Sequence, residues 1–219
     1  ASGSKTGHAK SCLSSHQRQR VRSLPLTTPE GTSLTVPSAE VLRQFVDVVG
    51  AAHAIADPEM QRPYLVEWRD KYVGRTPLVL RPGSVEEGSR VLAVAHSARV
   101  GVVPQGGNTG LVGGQIPFAD DSTVVLSLSR LNRMREIDAP GLSMTVEAGM
   151  TLAEARACAE AAGCLFPLSL PSEGTSQIGG NLATNAGGTG VLAYGNARSL
   201  ALGLEVVLAD GRVWNGLRA

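Results

Sequence analysis

Two long glycine-rich stretches that lack lysine and histidine constrain this chain more than any other feature. The first reads Pro104, Gln105, Gly106, Gly107, Asn108, Thr109, Gly110, Leu111, Val112, Gly113, Gly114 and Gln115. The second begins at Pro171 and continues through Ser172, Glu173, Gly174, Thr175, Ser176, Gln177, Ile178, Gly179, Gly180, Asn181, Leu182, Ala183, Thr184, Asn185 and Ala186 to Gly187 and Gly188. Glycine lets the backbone approach a ligand with no Cβ in the way. Successive free N–H groups in such a turn make a concave anion site. No basic residue lies between Arg99 and Arg130, so a phosphate held by the first stretch must be held by backbone amides. The missing lysine excludes a P-loop ending. All four histidines (His8, His16, His53, His96) precede both stretches, which excludes a histidine nucleophile, metal ligand or attachment point within them. Tight turns in a β-rich protein would account for one such stretch; two, each after a strand–helix unit, argue for a ligand.

The rest of the chain supplies the frame. Val41, Leu42, Phe45, Val46 and Val49 share one face of a helix that Gly50 can stop. The aromatic-rich piece from Tyr64 to Trp68 has no readable period. Leu78, Val79 and Leu80 read as a short buried strand, and Ser84 with Glu87 as a capping box opening a helix to about Ala98. A strand at residues 102–104 then enters the first glycine stretch. Strands are expected at 123–128 and 143–148, with a helix between Thr151 and Ala162 that Glu154 caps and Gly163 closes. Residues 202–208 read as a strand, and Asp210-Gly211 as a hairpin turn back into Val213 and Trp214. The expected fold is α+β in two lobes, residues 37–120 and 121–219. The short last arm suggests a chain incomplete at its C-terminus.

Charge is unevenly spread. Residues 1–29 carry Lys5, Lys10, Arg18, Arg20 and Arg22 and no acid, which leaves the remainder with 15 basic against 19 acidic residues. A mildly acidic body is a poor nucleic-acid binder, since duplex affinity needs clustered cations. Residues 1–36 read as a disordered basic leader, the alternative being an organelle transit peptide. Cys12, Cys158 and Cys164 suggest neither a disulfide scaffold nor a zinc site, so a reduced, cytoplasmic setting is the default, or a mitochondrial one if the leader is a transit peptide. No run is long enough for a membrane span. Residues 188–193 match a loose dinucleotide fingerprint, but no apolar strand precedes them, which disfavours a NAD-binding Rossmann domain.

Residues 104–114, 178–188, Tyr194-Gly195 and 203–211 closely resemble the flavin-binding domain of the p-cresol methylhydroxylase type. Within that family they are most similar to the branch of D-2-hydroxyglutarate and D-lactate dehydrogenases and the glycolate oxidase FAD subunit. The resemblance runs from about Asp57 onward. It implies that Gly106 to Gly110 wrap the FAD pyrophosphate, with Pro104, Gln105, Leu111, Gly114 and Gln115 beside them. It also implies that Pro171, Gly174, Thr175, Ile178, Gly179, Gly180, Asn181, Thr184, Asn185, Gly187 and Gly188 lie along the ribityl chain and ring, with Tyr194 and Gly195 closing the site. Asn108, where relatives with covalent flavin often have histidine, implies non-covalent FAD. The implied reaction moves the α-hydrogen of a small D-2-hydroxy acid to the flavin as hydride. The catalytic base and the cation for the substrate carboxylate would come from cap and C-terminal regions, so no catalytic residue or metal ligand is assigned here. The resemblance leaves the electron acceptor open and allows a homodimer of the full-length protein. The alternative is a non-catalytic nucleotide-binding or interaction module. Arg198 reads equally as a cofactor-phosphate contact or a surface residue, and Trp68 and Trp214 as packing or rim residues.

Overall fold

The computed structural model describes residues 24–25 and 34–217. The expected leader lies almost wholly outside the described residues, as do Cys12, His8 and His16. Packed structure is already present just ahead of the boundary expected at residue 37. Thr35 donates its N–H to the Arg99 carbonyl at 2.9 Å and its hydroxyl to the Ala98 carbonyl at 2.6 Å.

Helix α1 (Ala39–Val49) forms as its apolar stripe requires. The Ser38 hydroxyl caps it by accepting the Val41 N–H, and Gly50 ends it at φ +82°. After the short β1 (Leu24–Pro25) and β2 (Ala54–Ile55) comes α2 (Pro58–Leu65), which has Asp57 as N-cap and proline at its first position. Sequence periodicity missed α2 because Pro63 and the polar or charged Glu59, Gln61 and Arg62 interrupt its stripe. Then follow β3 (Tyr72–Val73), β4 (Val79–Leu80), α3 (Val85–Ala98), β5 (Gly101–Gln105) and β6 (Thr123–Ser127). Ser84 caps α3, but only half the expected capping box forms: the Glu87 carboxylate accepts the N–H of Gly83 at 2.7 Å and not that of Ser84.

The main sheet has the order β2-β4-β6-β5, with β4, β5 and β6 parallel and β2 antiparallel at one edge. Strand β6 is buried at every position, as a central parallel strand must be when both faces are covered. This corrects the expected division of the chain. Residues 123–127 were placed in the second lobe, yet they pair on both sides with first-lobe strands, so the sheet topology puts the division after β6. Phe45, Val49, Leu78, Leu80, Val91, Ala95, Val100, Val124 and Leu126 form the core between this sheet and α1 and α3.

Beyond β6 lie β7 (Met134–Asp138) and β8 (Ser143–Val146), an antiparallel pair with a bulge between Met134 and Glu136, and then α4 (Leu152–Ala161). The full capping box of Thr151 and Glu154 is present, and Gly163 adopts φ +74° beyond the helix end. Two short helices, α5 (Ile178–Ala183) and α6 (Val191–Tyr194), sit inside the second glycine stretch. No strand leads into residues 188–193, consistent with setting their fingerprint match aside. A separate core of Met150, Leu152, Ala155, Leu168, Ile178 and Ala197 holds this lobe. Strands β9 (Glu205–Val207) and β10 (Val213–Asn215) form the expected hairpin, with Gly211 at φ +89°. The Ser89 hydroxyl on α3 donates to the Gly211 carbonyl and ties this hairpin to the first lobe.

Candidate functional site

The first glycine stretch leaves the C-terminal end of β5, where open α/β sheets place their ligands. Inward-facing amide groups hold its shape. Gln105, 2% exposed, donates its side-chain amide to the carbonyls of Tyr64 (2.9 Å) and Gln115 (2.8 Å). Asn108 adopts φ +53° and donates to the carbonyls of Pro63 (2.9 Å) and Val66 (2.8 Å), while its own Oδ1 accepts from Gln115. Gln115 also donates to the Gly110 carbonyl at 2.9 Å. These three side chains therefore shape the loop from behind. In contrast, the backbone N–H groups of residues 106–110 have no acceptor among the described residues. A half-buried run of unpaired amides is uncommon, because buried backbone donors are nearly always satisfied. Such a run is what an anion nest requires.

The fold presses the second stretch against the first. A Cβ on Gly107 would lie 1.8 Å from the carbonyl oxygen of Thr175, and one on Gly106 would lie 3.2 Å from Oε1 of Gln177. Glycine is required at Gly107 by close approach alone. In the second stretch, Gly179 donates its N–H to the Ala148 carbonyl and packs on Ala148, while Ile178 donates to the Met150 carbonyl. Gly174 and Gly180 have open space where a Cβ would be. Ser176, Gln177 and Asn181 are 2%, 8% and 5% exposed, yet Ser176 Oγ, Gln177 Oε1 and Asn181 Nδ2 have no hydrogen-bond partner. An unmet buried polar atom costs about 1–3 kcal/mol, so three in one loop mark a surface made to meet something polar. Sequence reading singled out Asn181 but passed over Ser176 and Gln177, although both lie inside the quoted motif.

The remaining expected residues are placed as follows. Thr184 returns its hydroxyl to the Gly180 carbonyl at 2.9 Å. Asn185, at φ +52°, accepts from the N–H of Arg198. The Arg198 guanidinium donates to the carbonyls of Leu182 (2.9 Å) and Ala183 (2.7 Å), so it caps α5 at its C-terminus and the phosphate reading of this residue is set aside. Gly188 and Gly195 both take φ +78°; Tyr194 is half exposed, and Pro104, Leu111, Gly114 and Pro171 are exposed. A cleft of about 1630 Å³ opens beside the loops. It touches Pro104, Gly179 and Asn181 but not residues 106–110, and leucines dominate its wall. The unpaired amides of residues 106–110 lie outside this cleft, at the loops.

Residues 76–216 match the profile of a family described as an FAD binding domain. The chain belongs to the FAD-binding domain family. A mitochondrial D-2-hydroxyglutarate dehydrogenase of Bos taurus is 38% identical over 208 residues, covering 94% of this chain and 38% of its own length. An alkyldihydroxyacetonephosphate synthase structure superposes with a TM-score of 0.74 at 21% identity, over 90% of this chain and 38% of that one. Substrate-bound p-cresol methylhydroxylase gives 0.65 at 20% identity, over 80% and 34%. At such identities the two structures speak for the fold alone, and they establish the p-cresol methylhydroxylase-type α+β architecture. The chain spans little more than a third of the curated relatives it matches.

The FAD-binding domain's residues suit that cofactor. A dinucleotide offers a pyrophosphate to unpaired amides, and ribityl hydroxyls and ring edges to isolated donors and acceptors such as Asn181 Nδ2 and Gln177 Oε1. Behind the second loop, Glu147 is 3% exposed and braces β7. Its carboxylate accepts the backbone N–H of Arg133 at 2.9 Å and the Arg133 Nη2 at 2.9 Å, with Arg135 at 3.6 Å. Burial pushes the Glu147 carboxyl upward, but the Arg133 bonds and both guanidinium charges outweigh it, and the net shift is below the ordinary glutamate range. A depressed folded-state pKa gives stability that is present above the unfolded value and is lost as pH falls through that range. Arg133 is largely exposed, so solvent screens part of this effect. Urea midpoints measured from neutral pH down past about pH 4 should fall more steeply for the wild type than for Glu147→Gln. Parallel acid limbs would contradict this assignment.

Proposed function

We propose that this chain is the flavin-binding part of an FAD-dependent dehydrogenase that oxidises a small D-2-hydroxy acid, of the 2-hydroxyglutarate, lactate or glycolate class, to the 2-oxo acid. The observation that carries the reading is the run of unpaired amides at residues 106–110 facing a loop with three unmet buried polar atoms. The amides of Gly106, Gly107, Asn108, Thr109 and Gly110 hold the pyrophosphate. Gly174, Thr175, Gly180 and Asn181, joined by Ser176 and Gln177, line the path of the ribityl chain and ring. Gln105, Asn108 and Gln115 act through their side chains on the loop and not on the cofactor. With its Nδ2 and Oδ1 both engaged, Asn108 offers no covalent attachment, which supports non-covalent FAD. When bound, the flavin accepts the hydride; this chain's own part is to hold the cofactor's anionic end without a cation and to leave open backbone along its length. The name of the bovine relative supports the hydroxyglutarate branch and a mitochondrial setting.

Gly180→Ala separates this reading from a purely structural one. Gly180 sits inside α5 with open space at its Cβ position and no positive φ. Alanine there should leave the cofactor-free protein as stable or more so, by up to about 1 kcal/mol. If the space serves the cofactor, FAD affinity measured by flavin fluorescence quenching falls at the same time. Equal affinity in both proteins would remove the second loop from the site. A wild-type chain that takes up no FAD when titrated would remove the flavin reading altogether.

A further inference from the structure

The first loop has no cation of its own, yet one reaches it from outside. The turn between Val66 and Val73 is closed by an antiparallel bridge and by Asp70 at φ +57°. At its base Glu67 is 0% exposed. The Glu67 carboxylate accepts the backbone N–H groups of Arg69 (2.7 Å) and Lys71 (3.3 Å), and Oε1 lies 3.3 Å from Arg69 Nε. Burial pushes this carboxyl upward, but the two N–H donors and the Arg69 charge hold it below the ordinary glutamate range. Arg69, with its guanidinium 5.8 Å from the Trp68 ring centroid, donates through Nη2 to the carbonyl of Leu111 in the first glycine stretch.

An ion pair with one buried partner is a weak source of stability, because desolvation of the Glu67 carboxylate offsets much of the attraction. What the pair visibly does is hold the far limb of the loop. Leu111 and Val112 are 52% and 80% exposed and contribute little packing of their own. Other holds on that limb include the Gly113 backbone lying on the Tyr72 ring, the Ile116 N–H donated to the Gly113 carbonyl at 3.0 Å, and the Gln115 bonds.

Building on the flavin reading, we propose that Glu67 and Arg69 are positioning residues: a clamp that fixes the Leu111 carbonyl. By that hold the clamp presets the conformation in which the amides of residues 106–110 meet the cofactor pyrophosphate. It also brings a guanidinium charge beside a loop that has none. The expected consequence is a split between affinity and stability. Lost charge-assisted hydrogen bonds in a preorganised loop weaken FAD binding, while the global fold changes little.

The test uses the chain as it exists, with Arg69→Met, Arg69→Lys and Glu67→Gln. Three readouts are compared: hydrogen exchange at the amides of residues 109–114 in the cofactor-free protein, the FAD dissociation constant from fluorescence quenching, and the urea midpoint. Arg69→Met should speed local exchange and weaken FAD binding by about 10- to 100-fold, with a midpoint close to wild type. Arg69→Lys keeps the charge but not the fork, and should recover only part of the affinity. Glu67→Gln should fall between wild type and Arg69→Met. Unchanged exchange and affinity in Arg69→Met overturn the clamp and leave the flavin reading standing. An affinity loss matched by an equal loss of global stability also overturns it, since the role is then structural. Failure of the wild type to bind FAD removes the flavin reading and the clamp's purpose with it.

Discussion

Gly107→Val should abolish FAD retention and lower the unfolding midpoint of the cofactor-free protein, and Gly107→Ala should already show most of the effect. The Thr175 carbonyl oxygen lies 1.8 Å from the place of a Gly107 Cβ, with the Thr175 carbonyl carbon at 2.6 Å and the Ser176 nitrogen at 3.2 Å. All are backbone atoms, so no rotamer change relieves the clash and the two loops must separate. Overpacking of this kind costs about 1–3 kcal/mol. Separation also spreads the unpaired amides of one loop away from the unmet polar atoms of the other, which is why cofactor binding should suffer more than the fold. Gly88→Ala is the matched control, because it lies in α3 outside both loops and nothing is within 4 Å of its Cβ position. Near-wild-type FAD affinity in Gly107→Ala would mean that the contact between the loops is incidental.

Phe45→Ala should cost about 3–5 kcal/mol, read as a fall in the urea midpoint with an unchanged slope. Phe45 is 0% exposed on α1, in the core that also contains Leu80, Val91 and Val124. The helix lies outside residues 76–216, the part that matches the family profile. If α1 belongs to the cooperative unit, truncating its central anchor leaves a cavity against the sheet, and the strand that launches the first loop loses support. Leu192→Ala removes an equally apolar side chain that is fully exposed, and should change stability by less than about 0.5 kcal/mol. A Phe45→Ala cost no larger than that of Leu192→Ala would make α1 an appendage and move the start of the domain beyond it.

Local signals in the sequence determined much of this protein. The stripe of α1, the capping residues Ser84 and Thr151, the Asp210-Gly211 hairpin and the approach of β5 to a glycine-rich loop are each set by residues close together in the chain. So is the cation-free character of residues 100–129, which means that any phosphate held there must be held by amides. Tertiary structure alone decided the pairings between distant segments. Strand β6 reads as a plain apolar run, and nothing local says that it sits between β4 and β5, so the lobe boundary came out one strand early. Helix α2 and the turn after it have no clean period because their role is to accept Asn108 and Gln105 and to send Arg69 to Leu111. Gly107 looked like one glycine among many until its distance from Thr175 singled it out, and Ser176 and Gln177 emerged only from their burial without partners. The physical reason is the same throughout: periodicity and capping act within a few residues, whereas close approach and unmet hydrogen bonds depend on what the fold brings alongside.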